Sequence, residues 1–288
     1  MRFLIVGGSG LLGRELARQC SAAEHEVAAT YHTRSGQTAG VEWLPLDVRR
    51  REDVGALISA FRPEVVVNAA SGQADWATTA IGAANVALAA AAAGGRLVHV
   101  SSDAVFSGAA IRYDETCLPD PITPYGAAKA AAETAVNAIT PTAVTARTSL
   151  IIGDGDSPHE ALVHSLATGR ARGMLFTDDV RCPVHVVDLA AALLELAVSD
   201  YHGVHHVAGS DAVSRYELGL LIARRDGLDA GRLPAGRRAD TDVPGPMDVR
   251  LECGMTQRRL RTRLRGARRF LGEVHRLSRP SPDDGRLR

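Results

Sequence analysis

The stretch RFLIVGGSGLLG, residues 2–13, constrains the fold more than any other. An apolar run of strand length passes through Gly7, Gly10 and Gly13, and Leu11, Leu12, Leu16 and Ala17 then recur at helical spacing. A strand that turns through glycines directly into a helix is the opening unit of a dinucleotide-binding βαβ fold. Glycine is required because side chains would hold the backbone away from a pyrophosphate, while the helix N-terminus presents free N–H groups to it. Glycine-rich turns are common by themselves. Here the turn sits between a strand and a helix, and a second strand-like run, HEVAATY (25–31), follows within the ~30 residues such a unit spans.

The alternation continues. RREDVGALISAF (50–61) has helical spacing, EVVVNAA (64–70) reads as a strand, 76–94 as a long alanine-rich helix, and RLVHVSS (96–102) as a strand. A helix follows over 124–139, with Thr123 as N-cap and Pro124 at its first position, and then a strand over 143–153. Strands separated by helices of this length imply right-handed crossovers and a parallel sheet covered on both faces. The predicted class is therefore α/β, a Rossmann-type doubly wound sheet. After Gly153 the pattern loosens into helices at 160–168, 187–198 and 215–225 and a strand-like GVHHVAG at 203–209. We assign 1–153 to a dinucleotide-binding domain, with 181–200 packing back onto it. Residues 154–276 are assigned mainly to a smaller substrate-binding α/β cap, and 277–288 to a disordered tail.

Composition narrows the function. Formal net charge is zero, so nothing draws the whole chain to nucleic acid or to an anionic membrane. The four cysteines are far apart and form no C-x-x-C pair, which argues against zinc and disulfides and suits a reducing cytoplasm. The N-terminal apolar run is too short for a signal peptide or a membrane span. RRLRTRLRGARR (258–269) holds seven arginines, and with Leu260 and Leu264 on one face it reads as an exposed amphipathic helix rather than a nucleic-acid site.

Two clusters carry chemistry. At the end of the second strand, where NAD sites place an acid for the ribose, stand Tyr31, His32, Thr33 and Arg34. A guanidinium at Arg34 suits the 2′-phosphate of NADPH, which is favoured while NADH stays open. Asp47 either sits beside the adenine or caps the 50–61 helix. The second cluster is PYGAAK (124–129), where Tyr125 and Lys129 share a helix face one turn apart. Lys129 is the chain's single lysine; the other 32 of its 33 basic Lys and Arg side chains are arginines. An ammonium beside a phenol stabilises the phenolate, and so tunes a group of ordinary pKa about 10 for acid–base work on a carbonyl oxygen. Ser101 and Ser102 end the preceding strand at the same sheet edge, where a serine hydroxyl can polarise that oxygen.

GGSGLLG, VVVNAAS, HVSSDAVFSG, DETCLPDPITPYGAAK and ARTSLIIG, in this order, resemble the extended short-chain dehydrogenases/reductases. Within them the likeness is to dTDP-4-dehydrorhamnose reductases, which reduce the 4-keto group of a nucleotide-linked deoxysugar. It continues more weakly through 178–190, 203–223 and 246–252. The resemblance implies that Ser102 takes the catalytic role, that Tyr125 donates the proton, and that Lys129 binds the nicotinamide ribose and tunes Tyr125. It implies cofactor contacts at Gly7, Ser9, Gly10, Leu11, Leu12, Gly13, His32, Thr33, Arg34, Asp47, Val48, Ala69, Ala70, Tyr125 and Lys129. Substrate contacts are implied at Ser71, Ser102, Asp103, Ala104 and Leu150. Family members often carry tyrosine at the position of Ala104 and tryptophan at that of Leu150, close to the sugar, so the particular sugar is left open. Only Glu15 matches the glutamates of the family's magnesium-linked dimer, so no metal is expected, and the assembly is a monomer or homodimer. An NAD-dependent epimerase or dehydratase of the same superfamily stays an alternative through Asp103, as does a non-catalytic NAD(P)-binding regulatory subunit.

Overall fold

In the computed structural model, which describes residues 1–273, alternate residues of β1 (Arg2–Val6) enter two separate apolar layers. Phe3 and Ile5 join Leu12 and Leu16 of α1 (Leu11–Ala22), whereas Leu4 and Val6 join Val54 and Ile58 of α2 (Arg51–Phe61). A strand buried on both faces belongs at the centre of a covered sheet. The remaining strands are β2 (Glu26–Tyr31), β3 (Val41–Pro45), β4 (Val65–Asn68), β5 (Arg96–Ser102), β6 (Val144–Thr148) and β7 (Gly203–His206). All seven are parallel, in the order β7-β6-β5-β4-β1-β2-β3. The order reverses between β1 and β4, the place where open α/β sheets bind ligands beyond their carboxyl ends.

Helix α3 (Gly82–Ala93) and α4 (Pro124–Ile139) complete the layer with α2, through Val86, Ala87, Ala132 and Val136. On the opposite face α6 (Val186–Ala197) lays Leu189, Leu193 and Leu196 into the layer of α1. A third core lies apart from the sheet. There α5 (Pro158–Ala167), α7 (Arg215–Arg225) and a last short helix at Ala267–Glu273 gather Val163, Leu166, Leu218, Ile222 and Phe270. Among the described residues no helix is long and apolar enough to cross a membrane.

Four expectations change. The run 203–209 supplies β7 of the main sheet rather than a strand of the cap, and its His205 and His206 are wholly buried beside β6. The run 143–153 is two strands: Ser149 and Leu150 leave the sheet, and Ile151–Ile152 pair with Val184–His185. The sequence reading missed β3, a half-exposed edge strand whose Glu42 and Pro45 interrupt any apolar run. The segment 258–266 is irregular, not an exposed helix. Leu260 and Leu264 are buried, the Glu195 carboxylate accepts from the Arg261 and Thr262 amides at 2.7 Å each, and Arg265 pairs with Asp188 at 2.9 Å. Amides drawn off to a carboxylate cannot continue a helical ladder. The expected tail at 277–288 lies outside the described residues.

Candidate active site

The turn after β1 lines a cleft of about 360 Å³ with Gly7, Ser9, Gly10, Tyr31, His32, Asp47, Val48, Ala69, Ala70 and Ser71. Its glycines have different duties. Gly7 has φ +82°, and a Cβ there would stand 2.7 Å from the Ala70 amide nitrogen; one at Gly13 would stand 2.2 Å from the Gly7 carbonyl oxygen. Those two are fixed by the fold. A Cβ on Gly10 would meet nothing nearer than 3.5 Å, so Gly10 is the residue that leaves room on the cleft side. Helix α1 starts at Leu11 with no side-chain cap and no acid in its first turn, so its leading amides are available to an anion. The cradle fits a dinucleotide pyrophosphate. Leu12 and Gly13 are buried and contribute through the backbone path alone, and Leu11 is half-buried against the α6 layer.

At the far end, Asp47 does not cap α2, whose N-cap is Arg50. Arg49 grips the Asp47 carboxylate side-on through Nε and one terminal nitrogen, at 2.8 Å and 2.7 Å, and holds its pKa down to about 2. His32 Nε2 lies 3.8 Å from the same carboxylate. Thr33 and Arg34 are exposed and lie outside the cleft lining. Arg49, which the sequence reading did not single out, is exposed and meets the cleft lining through Asp47. Its signal was spacing, since an arginine two residues after an aspartate in a turn can close back on it.

The catalytic end is assembled by α4. Thr123 accepts from the Gly126 amide at 3.1 Å and Pro124 occupies the first turn, which fixes where the helix starts. Gly126 then allows α4 to touch the turn after β5, because a Cβ there would sit 2.0 Å from the Ala104 carbonyl oxygen. That approach carries Tyr125 to Ser102, and no sequence motif had marked it. The hydroxyls of Ser71 and Ser102 both act on the Tyr125 phenol and favour its ionisation, but burial outweighs them and pushes the phenol up from its ordinary value. Lys129 stands one turn further along α4. Its Nζ lies 5.9 Å from the Tyr125 ring centroid and donates to the Val100 carbonyl at 3.0 Å, and burial pulls its pKa down to about 8.

The two serines separate cleanly. Ser101 points into the protein and donates to Glu133 at 2.5 Å; Glu133 in turn binds Arg147 at 2.8 Å and 3.0 Å, all three residues being buried. Strand alternation then turns Ser102 to the other side. Its hydroxyl donates to Asp103 at 3.3 Å and accepts from the Ala104 amide at 3.2 Å. Asp103, expected to touch substrate, is only 5% exposed, and its second oxygen accepts from Ser149 at 2.6 Å. Leu150 is half-buried against the third core, and Ala104 is half-buried in the turn itself.

A second cavity, of about 300 Å³, opens beside Gln73 and is lined by His159, Leu162, Met174, Phe176, Arg215 and Arg238. Asp179, fully buried, lies 3.4 Å from Arg215 and 2.5 Å from Arg238, and the Arg238 guanidinium stacks 4.6 Å over Phe176. None of these was foreseen, because they come together from 73, 159, 179, 215 and 238 with no local motif.

The strand order and the tyrosine–lysine turn of α4 define an extended short-chain dehydrogenase/reductase. Within that class the chain belongs to the RmlD family: the model described as RmlD substrate binding domain matches residues 1–277. The chain is 34% identical over 262 residues to a probable dTDP-4,6-dihydroxy-2-methyloxan-3-one 4-ketoreductase of Streptomyces antibioticus, covering 85% of this chain and 84% of that one. It is 28% identical over 282 residues to methionine adenosyltransferase 2 subunit beta of Xenopus laevis, covering 89% and 82%. Among solved structures it is similar to dTDP-4-dehydrorhamnose reductase from Bacillus anthracis in complex with NADP, with a TM-score of 0.81 over 96% of this chain and 99% of that one. The identity there is 22%, and the likeness is one of fold.

Proposed function

We propose that the protein is an NADPH-dependent reductase of a keto group on a nucleotide-activated deoxysugar. The observation that carries this reading is the placement of Tyr125 at the carboxyl edge of the sheet, flanked by Ser71 and Ser102. NADPH, when bound along the glycine turn, supplies the hydride. Tyr125 gives its proton to the oxygen of the former carbonyl, so that C=O becomes CH–OH, and the phenolate left behind is reprotonated from solvent. Ser102 turns its hydroxyl to that oxygen as charge develops on it. Lys129, anchored by one N–H on the Val100 carbonyl, has its other N–H groups for the nicotinamide ribose. The third core, built by α5, α7 and the helix at Ala267–Glu273, acts as the substrate-binding cap, and the cavity at Arg215 and Arg238 suits the diphosphate and base of the nucleotide.

The likeness to an adenosyltransferase subunit favours a second reading, a non-catalytic dinucleotide-binding subunit, which binds cofactor without turnover. Mixing the protein with NADPH or NADH and a panel of 4-keto nucleotide sugars, and following absorbance at about 340 nm, separates the two. Cofactor oxidation with at least one ketone supports the reductase; tight cofactor binding with no turnover of any ketone rejects it.

A further inference from the structure

Asp103 follows the catalytic serine directly, yet its surroundings are not those of a substrate ligand. One carboxylate oxygen accepts from Ser102 at 3.3 Å; the other accepts from Ser149 at 2.6 Å and lies 3.8 Å from Arg181 Nε. Ser149 is fixed by a second bond, accepting from the Cys182 amide at 3.2 Å. Arg181 is 5% exposed and donates to the carbonyls of Val180, Met247 and Pro246 at 2.7 Å, 3.2 Å and 2.6 Å, with Asp179 2.9 Å away. A buried carboxylate held by two hydroxyls and a guanidinium has one orientation, and it imposes that orientation on whatever it binds next.

We propose that Asp103 is a positioning residue for Ser102, clamped by Ser149 and tied through Arg181 to the 246–247 segment. This rests on the reading of Ser102 and Tyr125 as the reacting pair. Asp103 draws the Ser102 hydrogen toward itself, which leaves the Ser102 oxygen facing Tyr125 until a substrate oxygen competes for that hydrogen. Its charge also bears on Tyr125. The groups that face Asp103 are Arg181, Arg215 of α7, Cys182 and Tyr125 of α4; those that face Tyr125 are Ser71, Ser102, Asp103 and, across the ring, Lys129. Burial pushes the Asp103 carboxyl above its ordinary value, against the pull of Arg181, Ser149, Arg215 and Ser102, and in its ionised form its negative charge opposes the Tyr125 phenolate.

Asp103→Asn and Ser149→Ala test this in the full chain. For Asp103→Asn we expect kcat to fall on the order of 10- to 100-fold with KM nearly unchanged, because the group acts through Ser102 and does not touch substrate. Tyr125 should also titrate lower by about one pH unit, since an opposing charge is gone. That titration is read as tyrosinate absorbance, with Tyr125→Phe variants subtracted to isolate the one phenol. Ser149→Ala keeps the charge and loses the clamp, so kcat should fall roughly threefold to tenfold while Tyr125 titrates as in the parent. A raised KM with intact kcat in Asp103→Asn would make Asp103 a substrate ligand and overturn the proposal. So would an unmoved Tyr125 titration in that variant, or full kcat in Ser149→Ala. The titration needs no turnover, so it judges Asp103 even if no ketone is reduced and the proposed function fails.

Discussion

The two ends of the cleft are built by opposite means. At the ribose end the arginines are exposed: Arg34 stands free of the lining, and Arg49 reaches from the surface to the half-buried Asp47. At the chemical end Lys129, Glu133, Ser101, Arg147 and Asp103 are all at most 5% exposed, and each has its partner inside the protein. Surface pairs are weak and replaceable, whereas buried charges tolerate no loss of a partner. Residue identity at the chemical end is thus dictated by the fold as well as by the reaction. At the ribose end it is dictated by the ligand alone, and substitutions there should change preference without touching stability.

The sharpest test of the chemical end is Tyr125→Phe. It removes the proposed proton donor and little else, so turnover should fall by roughly 10²- to 10⁴-fold with cofactor affinity close to the parent's. Single-turnover absorbance and a fluorescence binding curve read the two quantities, and a variant keeping most of its rate would remove Tyr125 from the mechanism. Next in size is Glu133→Ala, which strands Arg147 in the core and should cost about 3–5 kcal/mol in a denaturant melt. A loss below ~1 kcal/mol there would mean that the buried end is no more tightly built than the surface. Lys129→Arg comes third. A planar guanidinium cannot both reach the Val100 carbonyl and turn N–H groups to a ribose, so about a 10- to 100-fold loss of kcat is expected. The sign with pH follows from burial. Lys129 carries its charge below about pH 8 and loses it above, so activity that needs the ammonium is present at neutral pH and declines as pH rises through 8. Tyr125, pushed upward, does not titrate in that window. The residual activity of Lys129→Arg should lack this alkaline limb, and a limb that persists belongs to another group.

How far this division could be read in the sequence depends on whether the signal is local. The glycine turn, the paired Tyr125 and Lys129, and most strands were legible because strand and helix periodicity and the i, i+4 spacing are written within a dozen residues. What escaped was assembled from distance. Strand β7 was misplaced because nothing within GVHHVAG says which sheet it joins, and β3 because a half-exposed edge strand has no continuous apolar run. The helix expected over 258–269 failed because Glu195 takes two of its amides from 66 and 67 residues away. The burial of Tyr125 was hidden for the same reason. Proximity of a lysine is visible in PYGAAK, but the depth of burial that pushes the phenol up is not.

The ribose end offers the smallest effects and the finest discrimination. Two arginines are candidates for the 2′-phosphate. Arg34 is exposed and outside the lining, while Arg49, also outside it, is already bound to Asp47 of the lining. If Arg34 swings in to read the phosphate, Arg34→Asp should lower the NADPH-to-NADH ratio of kcat/KM by about tenfold, near the lower end of what a charge-assisted bond contributes. Arg49→Ala acts differently. It releases the Asp47 carboxylate, which Arg49 now keeps occupied, toward a ribose hydroxyl, and so should improve NADH by a few-fold while NADPH changes less. Neither substitution should move the melting midpoint, since both side chains are exposed. An unchanged ratio in Arg34→Asp, with a large loss of NADPH in Arg49→Ala, would transfer the reading of the phosphate to Arg49. Cofactor choice would then be set by the carboxylate–guanidinium pair itself, and the contrast between a loose end and a built end of the cleft would narrow to the difference between one ion pair and a network.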